Sequence, residues 1–354
     1  MNTLLIPTSN TSKTRPRTVK ALGMEANRAA ERAIFKLYQD RRPTNTQRAQ
    51  QAALKVFAEF MRTCGLASPD LYSDPLSWMG ISWGLVQAFQ KWLLQKGYSI
   101  KTVNDRVSTV KVYMTLANQA GVVPDSEILR LQGLRGYTRK EAIDADSQRV
   151  KHGIATRKGA KKSASVTITE EQARALCKVR NDTPQARRDA LLMCLLLDHG
   201  MRVSEASILK VEDIDLNTKQ MTFYRPKTGN TSRHNLRGRA WHCLLAYLDK
   251  DQKAQSGALI LASNKSGALV PGKGLTTRAI NERVTHLGQD VGLVNLSPHD
   301  CRHYGATKAG NDPKVSLAAL MAWGDWTSPQ SAARYINRGH ADNDGVSLGD
   351  EYDG

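Results

Sequence analysis

The feature that most restricts the fold of this chain is the recurrence of apolar side chains at three- and four-residue spacing through its first third. Ala52, Ala53, Val56, Phe57, Phe60 and Met61 follow that spacing and stop near Gly65, with Thr44 placed to cap the helix they predict. Leu85, Val86, Phe89, Trp92 and Leu93 repeat it between about Ser82 and Gln95, with Gly97 as the stop. Val103, Val107, Val110, Val112, Tyr113, Leu116 and Ala117 follow Ser99 and run to Gly121, and Ala29, Ile34, Phe35 and Tyr38 mark an earlier helix from about Met24 to Tyr38. Each segment is apolar along one side, and in water such a helix is stable only when another element covers that side. Residues 23–135 are therefore predicted to form a small all-helical domain, preceded by a flexible basic tail over 1–22.

The pattern breaks from Gly136 to Ala164, where Arg139, Lys140, Arg149, Lys151, Arg157, Lys158, Lys161 and Lys162 interrupt a stretch with few large apolar side chains. Residues 136–165 read as a basic interdomain linker. Charge runs of this kind are ordinarily solvated, but on a basic chain one can also track a phosphate backbone.

A second domain is predicted over 166–340, mostly helical with a small antiparallel β-sheet. Thr167 or Thr169 before Glu170 and Glu171 starts a helix, Ala186 to His199 reads as a buried helix closed by Gly200, and Ser204 is placed to cap a short helix through Leu209. Asp213 to Arg225 alternates as a hairpin, with a turn at Asp215-Leu216-Asn217-Thr218 and a strand over Met221 to Tyr224. A tight turn follows over Pro226 to Asn230. Helices are then expected over Leu236–Asp249, Thr276–Val291, Pro298–Ala309, Val315–Ala322 and Pro329–Asn337. An acidic tail fills 341–354.

At 354 residues the chain is long enough for two cores. Fifty-one Lys and Arg against 33 Asp and Glu leave a net charge of +18, which calls for a polyanionic partner, nucleic acid first. A membrane surface would want a lipid anchor or a long apolar span, whereas the best apolar run, Ala190 to Leu197, is far short of the ~20 residues a spanning helix needs. Met1 to Arg17 shows no apolar export signal. The five cysteines, Cys64, Cys177, Cys194, Cys243 and Cys301, are odd in number and widely spaced, which fits a reducing interior rather than a disulfide framework.

Several residues are candidates for chemistry on an anion. Arg202 falls between a helix stop and a helix start, where backbone N–H groups also point, with Glu205 able to orient its guanidinium; read alone, such an arginine is usually a solvated charge. Ser297 and Pro298 open a helix that carries His299 and Arg302 three residues apart near its positive end, although a terminal histidine and a solvated arginine are the plainer reading of that fragment. A metal held by His299, Cys301 and His303 is disfavoured because Cys301 would face away from both histidines. Lys227 sits at the tight turn, a place where lysines are commonly idle. Tyr335 ends a short helix started by Ser328 and Pro329, where a tyrosine is ordinarily a packing residue.

The order of these residues raises their weight. His199-Gly200-Met201-Arg202-Val203-Ser204-Glu205, Pro226-Lys227-Thr228, Ser297-Pro298-His299-Asp300-Cys301-Arg302-His303, and Gly324-Asp325-Trp326 with Tyr335 nine residues beyond the Trp together resemble the tyrosine recombinase (phage integrase) family, which includes Cre-like and Xer-like site-specific recombinases. The resemblance covers the two-domain layout and about residues 40 to 340. It implies that Tyr335 is the nucleophile that leaves a 3′-phosphotyrosine link and that Arg202 and Arg302 clamp the scissile phosphate. Lys227 would protonate the departing 5′ oxygen, His299 would hydrogen-bond the phosphate and help with proton transfer, and Trp326 would give its indole N–H to a phosphate oxygen. Glu205 and His303 would support them. No cofactor and no metal are implied, since the cations take the metal's part. The partners implied are duplex DNA carrying specific sites, gripped by the two domains, and further protomers, with a tetramer on paired sites. Two rivals are a type IB topoisomerase-like relaxing enzyme and a DNA-binding protein that does not cut.

Overall fold

A computed structural model describes residues 18–67, 69–158 and 165–336. The basic tail up to residue 17 and the acidic tail over 341–354 lie outside the described residues. The chain divides into two compact units, one on either side of the 159–164 stretch.

The first unit is all helical. Helices α1 (Val19–Asp40), α2 (Thr44–Thr63), α3 (Trp83–Gln95), α4 (Ile100–Gln119) and α5 (Asp125–Gly133) follow the apolar spacing, and each buries its apolar side. α1 starts at Val19, so the basic helix takes in residues assigned to a tail. Thr44 is not the cap of α2: Pro43, with φ at −56°, takes that position and Thr44 falls in the first turn. The core is aromatic, with Phe57 against Phe89 at 4.9 Å and Tyr113 meeting Phe35 edge-on at 5.2 Å, while Trp78 gives its indole N–H to the Leu71 carbonyl at 3.0 Å. Burying ring pairs of this kind contributes about 0.5–1.5 kcal/mol per pair beyond area alone.

Half of the expected linker is folded. Helix α6 (Arg139–Lys151) starts at a capping box of Thr138 and Glu141, and its Arg149 is 5% exposed. That guanidinium pairs with Asp146 and donates to the Tyr98 carbonyl at 2.8 Å, past the end of α3. Carbonyl acceptors hold a helix whose apolar side is too thin to be read from periodicity.

The second unit is built around α8 (Pro184–Leu197), a helix with eleven buried residues, including two arginines and an aspartate. It is flanked by α7 (Glu170–Leu176), capped by Thr169 rather than Thr167, and followed by α9 (Val203–Ile208), α10 (Gly238–Lys250), α11 (Thr277–Gln289), α12 (Pro298–Gly310), α13 (Leu317–Gly324) and α14 (Pro329–Ala333). Strands β1 (Ile214–Asp215), β2 (Gln220–Arg225) and β3 (Asn230–Asn235) form an antiparallel sheet in that order, with Arg225 opposite Asn230 beside the tight turn. A second pair, β4 (Leu261–Ser263) and β5 (Leu269–Gly274), is also antiparallel. The charged side chains inside α8 are paired: Arg187 with Asp251 at 2.6 Å and Arg188 with Asp189 at 2.8 Å. Among the described residues no helix is long and apolar enough to cross a membrane.

Candidate active site

The site forms where the ends of α8 and α13 meet α12. After α8 the chain turns sharply at Gly200, whose φ is +58°, and a Cβ there would lie 2.2 Å from the Trp323 ring. Only glycine satisfies both the turn and the close approach. Two residues on, Arg202 occupies the cap position of α9, where a serine cap at Ser204 was expected; Ser204 lies inside the helix instead. The reason is Glu205, fully buried, which must find donors: its Oε2 accepts the Arg202 backbone N–H at 2.8 Å and its Oε1 accepts Arg202 Nη1 at 2.7 Å.

Glu205 serves a second cation that the sequence reading passed over. Arg225, at the end of β2 and 0% exposed, reaches Glu205 Oε2 with Nη1 at 3.3 Å, gives Nη2 to the Trp323 carbonyl at 3.0 Å and Nε to Ser232 Oγ at 2.5 Å. The signal was present: Met221, Phe223 and Arg225 share the inward phase of β2. Burial pushes the Arg225 guanidinium below its ordinary value, and Glu205 offsets part of that.

Arg302, on α12 and 5% exposed, joins the ends of two other segments by donating Nη1 to the Gly200 carbonyl at 2.5 Å and Nη2 to the Gly324 carbonyl at 2.6 Å. Its guanidinium lies over the Trp326 ring at 5.1 Å. Burial, then the neighbouring Arg202, lowers its pKa to about 10, so it remains a cation at neutral pH. Tyr335, just past the end of α14, is half-buried, stacked on Trp326 at 5.0 Å with 24° between the planes, and met edge-on by His303 at 5.1 Å.

Asp325 caps α13 in the left-handed region, φ 52° and ψ 51°. Its carboxylate accepts Thr228 Oγ1 at 2.5 Å and Asn230 Nδ2 at 3.1 Å, from the turn that carries Lys227, and lies 3.9 Å from Arg202 Nη1. Burial pushes this carboxyl up, but those hydrogen bonds together with Arg225 and Arg202 outweigh it and hold it below the usual range. Three guanidinium groups (Arg202, Arg225, Arg302) against two carboxylates (Glu205, Asp325) leave one positive charge over, before Lys227 is counted. That surplus, partly desolvated, suits an anion.

The structure thus brings together Arg202, Glu205, Arg302, His303, Trp326 and Tyr335. Lys227 stands exposed on the β2–β3 turn, and His299 stands exposed in the first turn of α12, one turn before Arg302. Beside them a cleft runs along β3, lined by His199, Ser232, His234 and Trp323 among others. Burial drives the His234 pKa down to about 3 and that of His199 down as well, so both rings are neutral. As for metal ligands, Cys177, Cys194 and Asp198 place donor atoms within 4.8 Å of one another, but Asp198 is already held by Arg239, with Nε on Oδ2 at 2.7 Å. Cys301 is buried in the core.

The phage integrase family model matches residues 166–341, the stretch that contains every one of these side chains. Over 275 residues the chain is 26% identical to tyrosine recombinase XerC of Roseiflexus sp. (strain RS-1), covering 75% of this chain and 77% of the relative. It is also 26% identical over 215 residues to tyrosine recombinase XerA of Pyrococcus horikoshii, covering 60% and 68%. The chain belongs to the tyrosine recombinase family. It is a site-specific DNA recombinase. The fold of this recombinase matches that of the Tn1549 transposon integrase (TM-score 0.60, 13% identity, 89% of this chain and 96% of the other). It likewise matches lambda integrase (TM-score 0.56, 15% identity, 87% and 96%).

Proposed function

We propose that this recombinase cuts and rejoins duplex DNA through Tyr335. The Tyr335 oxygen gives up its proton, with His299 helping in that transfer, and forms a bond to phosphorus as the bond from phosphorus to the 5′ oxygen breaks, giving a 3′-phosphotyrosine and a free 5′ hydroxyl. Charge builds on the nonbridging oxygens as this happens, and donors fixed beforehand stabilise it by about 3 kcal/mol each. Arg202 and Arg302 are those donors, with His299 and the Trp326 indole N–H completing the set. Lys227 gives its proton to the departing 5′ oxygen, and the duplex carries the specific sites. Glu205 keeps Arg202 aimed, and His303 packs against the nucleophile. Strand exchange between two duplexes cuts four strands, and one chain has one Tyr335, so the working assembly is a homotetramer on paired sites.

The observation that carries this reading is the placement of Tyr335 on Trp326, the same ring that Arg302 covers. The test is Tyr335→Phe on nicked duplexes drawn from the DNA flanking the protein's own gene. Wild type is expected to give a protein–DNA adduct that survives denaturation. The variant should keep wild-type binding and give no adduct, whereas adduct formation by Tyr335→Phe would overturn the assignment.

A further inference from the structure

We propose that Asp325 is a positioning residue for proton transfer to the leaving 5′ oxygen, acting by holding the Lys227 turn against the end of α13. The inference rests on the reading of Lys227 as the proton donor.

Lys227 rides on a four-residue connection between β2 and β3, and exposure leaves its own side chain with wide rotamer freedom. The turn is closed internally by the Thr228 and Gly229 N–H groups, both donating to the Arg225 carbonyl at 3.1 and 2.9 Å. Those bonds fix its shape but tie it to β2 alone. Arg225 itself reaches α13 through the Trp323 carbonyl, but the turn residues are tied to the helix that leads to Trp326 and Tyr335 by Asp325, which grips Thr228 and Asn230 on the two sides of Gly229. Thr228 is the residue next to Lys227, so the grip lies one peptide from the donor's own backbone. The other end of the contact is equally fixed, because Gly324, immediately before Asp325, has its carbonyl held by Arg302. Thus the Lys227 turn, Asp325, the Gly324 peptide and Arg302 form one connected path from proton donor to phosphate clamp. A proton donor contributes about 10²–10⁴-fold only when it is held within hydrogen-bond reach of the atom it serves.

Asp325 also permits a clean substitution. Its backbone is in the left-handed region, which glycine adopts freely and asparagine tolerates well. Asp325→Gly removes the grip without straining the helix end. Asp325→Asn keeps a side-chain oxygen for Thr228, and reorienting the Asn230 amide restores the second bond.

The readout that separates positioning of the donor from a general structural role is the leaving group. Replacing the bridging 5′ oxygen at the scissile phosphate by sulfur makes the leaving group a thiolate, of pKa near 8.5 as for a free thiol, which departs without a proton. Single-turnover adduct formation is measured for wild type, Asp325→Gly, Asp325→Asn and Lys227→Ala on the oxygen and sulfur substrates, with DNA binding and thermal unfolding of each. Asp325→Gly is expected to slow the oxygen substrate by about 10²-fold and the sulfur substrate by less than about threefold, with Asp325→Asn recovering most of the loss. Equal slowing on both substrates, or no slowing on either, overturns the role of Asp325. If Lys227→Ala is not rescued by sulfur, the proton-donor reading of Lys227 fails, and an adduct missing from wild type on both substrates defeats the cleavage reading itself.

Discussion

Arg302 does two jobs with one guanidinium. One N–H of each terminal nitrogen goes to a main-chain carbonyl, Gly200 or Gly324, which leaves the guanidinium further N–H donors and its charge close to Arg202. A lysine carries the same charge but has no planar fork to span two acceptors. Arg302→Lys is expected to leave at least one buried carbonyl without a donor, a cost of about 1–3 kcal/mol in stability. Losing an aligned donor should also cost on the order of 100-fold in the rate of adduct formation. Thermal unfolding and single-turnover cleavage, taken together, check both halves. Unchanged unfolding would show that the carbonyl contacts do not matter to the fold.

Among the elements, α12 depends on how closely it approaches α8. Gly305 faces the last carbonyl of α8, and a Cβ at that position would sit 2.2 Å from the Leu197 oxygen. Neither backbone can yield without moving α12, which bears His299, Arg302 and His303. Gly305→Ala should therefore destabilise by more than the ordinary ~1 kcal/mol of a point substitution and weaken adduct formation, even though residue 305 touches none of the reacting groups. A midpoint of unfolding equal to wild type would contradict this. The same scale shows what was legible in the sequence. Helices with an apolar stripe were readable to within a few residues, and the order Arg202, Lys227, His299, Arg302, Trp326, Tyr335 pointed to the site. β3 was not readable, because Asn-Thr-Ser-Arg-His-Asn has no apolar alternation and is a strand only by pairing with β2. β5 contains Pro271 and two glycines, which read as a loop. The Asp325 contact to Thr228 and Asn230 joins positions 95 or more apart, and no local pattern encodes it.

At the scale of the whole chain, acid should be a sensitive variable. His234 titrates near 3 in the fold and near 6.5 when unfolded, so below pH 6.5 the unfolded chain binds the proton that the folded chain refuses. The stability this gives is fully present above pH 6.5 and is lost as pH falls toward 3, by at most about 1.4 kcal/mol per pH unit. His199, lowered by burial as well, acts in the same direction. The unfolding midpoint of wild type is expected to fall between pH 7.5 and pH 5, and that of His234→Gln to fall less steeply. Parallel curves would count against a buried neutral ring. The surplus of basic residues, +18 in all, adds self-repulsion that grows as carboxylates are protonated.

The two ways in which Arg302 and Tyr335 are embedded have a consequence for inactive copies of the gene. Arg302 pins peptides near two helix ends, so a copy that loses it loses stability along with the charge and leaves less folded chain behind. Tyr335 lies half-buried beyond the end of a five-residue helix, and the loss of one hydroxyl there leaves the fold intact. In the tetramer proposed above, such a copy would still occupy DNA beside active subunits, so the second kind of damage would poison the assembly it enters, whereas the first would be recessive.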